Sequence, residues 1–307
     1  MVLILAPSFA LLFDQHIMDF SLLFPTVDVP VAVGAGFGFT VLYVGSIYLW
    51  HLVYINRPQT EQKRVRDRDD PGTIKRRFFS VTVASVISYY IITRLANPLA
   101  STEDIHAALG VRLEGLLPAL IIPFLLVVLL FLGPLVQIYL DPYDRFFYHD
   151  SNLLYITRNV IVCPFTEEWV FRGCVIPLLL AAGLSHKNAI IVCPLFFASA
   201  HVHHIFAGKS VVMVLFQFLY TSVFGWLSSY IFVRTGHVMA PIIAHAFCNY
   251  MGFPNLTEIP RHPWMKTVAA CYIVGLVGFF LFAKSATTPS LYDNDIFYLD
   301  DVNEMNK

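Results

Sequence analysis

The sequence predicts an all-α protein, a polytopic transmembrane bundle of about eight helices, and three observations carry that expectation. First, 57% of the 307 residues are hydrophobic and 13% are charged, against roughly 45–50% and about 25% in an ordinary soluble domain. Second, Val29 to Ile55, Leu116 to Leu140 and Ser210 to Val233 run almost without charge. Each reaches the ~20 residues that cross a hydrocarbon core of about 30 Å as a helix. Third, backbone groups in lipid must be satisfied within their own segment, which favours helices over open strands.

Taken in order, the N-terminal apolar piece Val2 to Phe13 is a doubtful extra span, because it is short. It has no basic flank and no small-residue cleavage site, so a removed signal peptide is not expected. After the first secure span comes "NRPQTEQKRVRDRDDPGTIKRRFF", with eight Lys or Arg and four Asp or Glu. The next connection, "ANPLASTEDIHAALGVRLEGL", has one Arg and three acids. The positive-inside rule puts the first loop in the cytosol and the second on the far side. Shorter or polar-interrupted spans are expected at Phe78 to Ile92, Leu153 to Gly183, Asn188 to Ile205, Val238 to Pro254 and Thr267 to Ala283. The whole chain, 1–307, reads as a single domain. About 1–28 forms an N-terminal extension, and the acidic tail 284–307 lies outside the core. A net charge of −1 gives no nucleic-acid footprint, and five cysteines at irregular spacing give neither a disulfide framework nor a metal-binding pair.

Ionisable groups within membrane helices are costly and mark functional sites by default. In "CPFTEEWVFRGC", Glu168 and Arg172 stand four apart and share a helix face, whereas Glu167 is turned by about 100° from Glu168. The spacing pairs Glu168 with Arg172 and leaves Glu167 pointing into a cavity as acid or base. A buried cluster that only fixes helix packing is the plain alternative. In "FFASAHVHHIF", His201 shares a stripe with Phe197 and lies deeper than His203 and His204, which read as interfacial residues. In "HVMAPIIAHAFCNY", His245 and Asn249 project from one face of an apolar helix.

A carboxylate and an imidazole can hold and deprotonate a water, and a second imidazole with a carboxamide can donate to an oxyanion. That set suits hydrolysis of an amide or ester. A nucleophile would draw on Cys174 or Ser199, but no GxSxG elbow is present and small buried residues in helices ordinarily pack. Glu167, His201 and His245 could also form the His₂Glu set of a catalytic zinc, which the residues alone leave open. A transporter would keep intramembrane charge too, yet no two-fold internal repeat is visible.

The ordered motifs "EEWVFR", "FASAH" and "HAFCN", with "AHVHHIF" and the earlier "IKRRF", resemble the type II CAAX prenyl endopeptidases, the Ras-converting-enzyme group. The likeness runs from about Tyr43 to about Phe282. It implies a membrane-embedded active-site cavity and an endopeptidase that removes the last three residues of prenylated CAAX proteins, Ras-like small GTPases among them. The substrates would be farnesylated or geranylgeranylated proteins met in membrane lipid. The enzyme would be a multi-pass protein of the endoplasmic reticulum with its site facing the cytosol. By the same resemblance Glu167 and His201 would activate water, His245 and Asn249 would stabilise the transition state, and Glu168 and Arg172 would support them. Neither cofactor nor metal is implied.

Overall fold

The structure, a computed structural model, describes residues 18–140, 152–205 and 208–298. The doubtful N-terminal piece Val2 to Phe13 lies outside them. Among the described residues there are helices and turns and no strand. Helix α1 (Val29–Val53) starts where Asp28 accepts from the Val31 amide at 2.9 Å, with Pro30 in the first turn. Aspartate at the cap and proline just inside it meet the orphan amides of a helix start. A short α2 (Gln59–Arg66) carries much of the basic loop, and α3 (Pro71–Leu95) follows, capped by Asp70 at 2.9 Å from the Thr73 amide. Because α3 begins at the proline, Lys75, Arg76 and Arg77 belong to its first two turns, seven residues earlier than the apolar pattern predicts. Helix α4 (Thr102–Ala108) is closed by a Ser101/Asp104 capping box on the opposite end of the bundle.

The expected span Leu116 to Leu140 is two helices, α5 (Leu116–Leu130) and α6 (Leu132–Leu140), bent by 64°. Pro134 cannot donate to the Leu130 carbonyl, so the ladder breaks there and the chain turns. Gly133 allows the bend to be crossed closely, since a Cβ there would lie 2.3 Å from Tyr272. Residues 153–181 form one composite helix, α7. Its α-helical stretch Cys163–Glu168 lies between two wide π-helical turns, Thr157–Val162 and Trp169–Cys174. Helices α8 (His186–Ser199), α9 (Val211–Thr235), α10 (Met239–Met251) and α11 (Met265–Ala286) complete the bundle. The predicted span Asn188 to Ile205 stops short at Ser199, followed by a 3₁₀ turn at Val202–Ile205.

Four of these helices, α1, α3, α9 and α11, are long and apolar enough to cross a membrane, and α5 with α6 makes a fifth if the bent pair is one span. Leu215, Leu219, Phe280 and Leu281 stand exposed on their outer faces, as expected of helices against hydrocarbon. Helix α7 is the central element and packs against α1, α3, α8, α9 and α10. Its far end, Val175–Ala181, is buried throughout.

The described parts of both terminal segments, 18–28 and 284–298, take part in the core, which corrects the expectation that the acidic tail lies outside it. Phe20 and Phe24 are buried at one end, and Tyr292 and Phe297 at the other. Phe20 and Phe297 stack with centroids 5.3 Å apart. Asn294 donates to the Val233 and Arg234 carbonyls at 2.9 and 3.1 Å, so the stretch after α11 is held against the end of α9. The residues of the tail that are acidic in sequence thus flank apolar anchors, and only 299–307 fall outside the described residues.

Candidate active site

The site is built around the middle of α7. Glu168 and Arg172 are both fully buried, and Arg172 Nη1 donates to Glu168 Oε1 at 3.2 Å, the pairing that their spacing predicts. Glu168 has two further donors that come from other helices. His245 Nδ1 on α10 donates to Oε1 at 2.7 Å, and the Ser228 hydroxyl on α9 donates to Oε2. Arg172 is held in turn by the Gly225 carbonyl at 3.3 Å and by the Phe197 ring, whose centroid lies 4.7 Å from its guanidinium. Gly225 is needed for that approach, because a Cβ would sit 2.6 Å from Pro194 and 3.1 Å from Arg172 Nη2. Buried charges are tolerated when paired and hydrogen-bonded, and here each charge has at least two partners.

Glu167 differs in kind. Its side chain is 18% exposed, and His245 Nε2 lies 3.9 Å from its Oε2, beyond hydrogen-bond distance. His245 therefore stands between the two carboxylates, bonded to one and facing the other. Its ring packs against Phe224 and Phe197, with centroids at 4.6 and 6.3 Å. Because Nδ1 gives its proton to Glu168, Nε2 can donate only when the ring carries both protons.

His201 follows the last turn of α8. Its Nδ1 donates to the Phe197 carbonyl at 3.2 Å, which makes Nε2 the acceptor nitrogen of the neutral ring. Phe197 meets His201 edge-on at 5.1 Å, so one aromatic ring touches Arg172, His201 and His245. Asn249 has a partner that the sequence did not suggest. Its Nδ2 donates to the Asn159 carbonyl at 2.9 Å, tying α10 to the first π turn of α7. A π turn takes a carbonyl out of the regular ladder, and buried carbonyls need donors. The second π turn is served similarly, by Cys193 Sγ donating to the Phe171 carbonyl at 3.0 Å.

Sequence reasoning missed Ser228, Phe224 and Tyr43. Thr166 Oγ1 donates to the Val162 carbonyl at 2.8 Å and receives the Tyr43 hydroxyl at 2.8 Å, which sets Tyr43 beside Glu167. Serine in an apolar helix gives no signal of its own, and only the position of α9 against α7 reveals Ser228. Among the described residues no three His, Cys, Asp or Glu side chains converge as metal ligands.

A helical membrane bundle that buries a hydrogen-bonded Glu/Arg/His/Ser network beside a partly exposed carboxylate marks a candidate functional site. Comparison with known proteins narrows this class. Residues 149–251, which contain all six predicted site positions, match the family model described as "Type II CAAX prenyl endopeptidase Rce1-like". The chain is 37% identical over 273 residues to CAAX prenyl protease 2 of Homo sapiens, covering 81% of this chain and 79% of that protein. It is 34% identical over 254 residues to CAAX prenyl protease 2 of Arabidopsis thaliana, covering 71% and 80%. The protein of the same name in Caenorhabditis elegans is 31% identical over 264 residues, covering 80% and 95%. No solved structure matches the chain significantly. The chain belongs to the type II CAAX prenyl endopeptidase family, and it is a membrane-embedded protease.

Proposed function

We propose that this protease removes the last three residues of proteins whose CAAX cysteine is farnesylated or geranylgeranylated, using a water activated by Glu167. The observation that carries the reading is the inequality of the adjacent carboxylates. Glu168 accepts three bonds and is fixed, while Glu167 accepts none within hydrogen-bond distance among the described residues and is partly exposed. A carboxylate with unused lone pairs can take a proton from water, and a saturated one cannot.

In this mechanism Glu167 deprotonates the water as it attacks the scissile carbonyl, and His201 orients that water through Nε2. The developing oxyanion is met by the second N–H of Asn249 and by Nε2–H of a doubly protonated His245. The proton then passes to the leaving amine, and Glu168 with Arg172 keeps the imidazole in place. No metal enters the scheme.

The substrate suits a site within a bilayer. Each CH₂ of a prenyl chain gains about 0.8 kcal/mol on burial in apolar surroundings, so lipid concentrates the anchored C-terminus at the helices. The basic loop lies at the end of the bundle where α7 begins, joined to it by Arg158 Nη1 and Asp69 at 2.8 Å. By the positive-inside rule this supports a site that opens to the cytosol, and the likeness to the CAAX proteases suggests the endoplasmic reticulum membrane. The test is release of a tripeptide by the purified protein from a prenylated CAAX peptide and from its unprenylated form. Release from the prenylated peptide alone is expected, and equal release from both would overturn the substrate assignment.

A further inference from the structure

The end of the bundle that carries the basic loop contains a guanidinium with no counter-ion. Arg76 is held by Asp70 at 3.6 Å, Arg158 by Asp69 at 2.8 Å and Arg172 by Glu168 at 3.2 Å. Arg77, two turns into α3 and half-buried, has neither an ion pair nor a hydrogen bond among the described residues. The helix that carries it runs beside α7, with Arg158 donating to the Arg68 carbonyl at 3.0 Å and the Trp169 indole to the Ser85 carbonyl at 3.3 Å, so Arg77 lies between those two levels of α7. It lies within electrostatic range of Tyr48, Cys163, Arg68 and Arg158, and the Tyr48 ring meets His203 edge-on at 5.3 Å. Cys163 in turn lies within range of both Arg77 and Glu167. One helical turn, about 6 Å, separates Cys163 from Glu167 along α7.

A partly desolvated arginine without an acid is a receptor for a planar anion, which it grips with two parallel N–H bonds. The proposed reaction supplies one. The prenylated cysteine marks the near side of the scissile bond, and the α-carboxylate marks its far side, three residues on. Three extended residues span about 10 Å, so the carboxylate of a bound substrate lies about that far from the bond held at Glu167.

We infer that Arg77 binds the terminal α-carboxylate of the substrate and thereby fixes which peptide bond lies against Glu167. The inference rests on the proteolytic reading above and adds a specificity-determining residue to it. Arg68, whose side chain is 58% exposed and pairs only weakly with Asp69 at 3.9 Å, adds a second positive charge near Arg77.

The experiment compares two prenylated peptides that differ only at the C-terminus, one a free acid and one an amide, with the full chain in neutral detergent. Wild type is expected to favour the acid about 10- to 100-fold in kcat/KM, as a charge-assisted bond implies, chiefly through KM. In Arg77→Gln the acid-to-amide ratio should collapse toward one. Arg77→Lys, which keeps the charge and loses the fork, should retain part of it and decides the matter if the glutamine variant does not fold. Absence of cleavage by wild type would overturn the proteolytic reading and the inference together. Cleavage with an undiminished ratio in the variants would overturn the inference alone. Equal loss on acid and amide, appearing only in vesicles that contain anionic lipid, would identify Arg77 as a lipid headgroup contact and also overturn it.

Discussion

Glu167→Gln and Glu168→Gln are the same one-atom change at adjacent positions, and the structure gives them opposite consequences. Among the described residues Glu167 makes no hydrogen bond that the amide would lose, and the His245 ring nitrogen nearest it is 3.9 Å away. Its replacement should leave stability within about 0.5 kcal/mol of wild type. Turnover should fall at least 10²–10⁴-fold, the usual contribution of a positioned general base, because the amide has no basic lone pair. At Glu168 the arithmetic reverses. Oε1 meets two N–H donors and Oε2 a hydroxyl, all in a fully buried setting. Loss of that charge strands Arg172 without its counter-ion, and breaking one side of a buried pair costs about 3–5 kcal/mol. Glu168→Gln should therefore lower both the yield of folded protein and its activity. Thermal unfolding in detergent, together with single-turnover release of tripeptide, measures both quantities. Folded Glu167→Gln with turnover within about tenfold of wild type would refute the assignment of the base. Glu168→Gln as stable as wild type would refute the network.

Four further outcomes are expected. Asn249→Ala should cost about 1 kcal/mol of stability through the lost Asn159 bond and lower kcat by roughly 10²–10³ with KM little changed; a stability loss with normal kcat would confine Asn249 to helix packing. Activity should survive a strong chelator and gain nothing from added zinc, whereas loss with recovery on zinc would favour a Glu167/His201/His245 metal site. No covalent intermediate should accumulate during turnover, and Cys174→Ser or Cys248→Ser should lower activity only through packing, whereas a trapped acyl-enzyme would contradict the activated-water scheme. His237, buried in the connection between α9 and α10, has its pKa pushed down from 6.5 to about 4, chiefly by burial and then by nearby Arg112. The unfolded chain binds that proton more tightly, so stability is full above about pH 6.5 and falls as the pH drops toward 4; unfolding curves across that range should flatten in His237→Gln.

Much of the fold was legible because apolar length is a local property. Long helices such as α1, α9 and α11 start and end within a few residues of the expected positions. The misreadings arise where a local pattern meets a backbone rule or a distant partner. Hydropathy treats Leu116 to Leu140 as uniform, and only the missing amide of Pro134 breaks it. Charge counting assigns the acidic C-terminal stretch to solvent, although Tyr292 and Phe297 are apolar anchors spaced within it. Arg77 was read as part of a loop because its charge ended the apolar run, but proline at the start of α3 extends that helix back through it.

At the site, the i, i+4 rule found the Glu168–Arg172 pair, and the offset of Glu167 was expected from helical geometry alone. That offset is not sufficient to make the two carboxylates different. What separates them is the supply of donors: Ser228 from α9 and His245 from α10 both reach Glu168, and neither bonds Glu167. Such a difference belongs to the packing of three helices and to no one of them, so a reading along a single helix had no access to it. The π turns on either side of Cys163–Glu168 follow the same logic. A wide turn is unfavourable by itself and persists when something else takes up the carbonyl it releases. Asn249 does this for Asn159 and Cys193 for Phe171, so the helix that carries the candidate base depends on its neighbours for its local form. An Asn249 variant that leaves that turn unsatisfied should consequently disturb Glu167 even where it touches no substrate. Combining Asn249→Ala with Glu167→Gln separates the two roles: a double variant no slower than Glu167→Gln alone shows that Asn249 acts through Glu167. A further drop shows that it also meets the transition state directly.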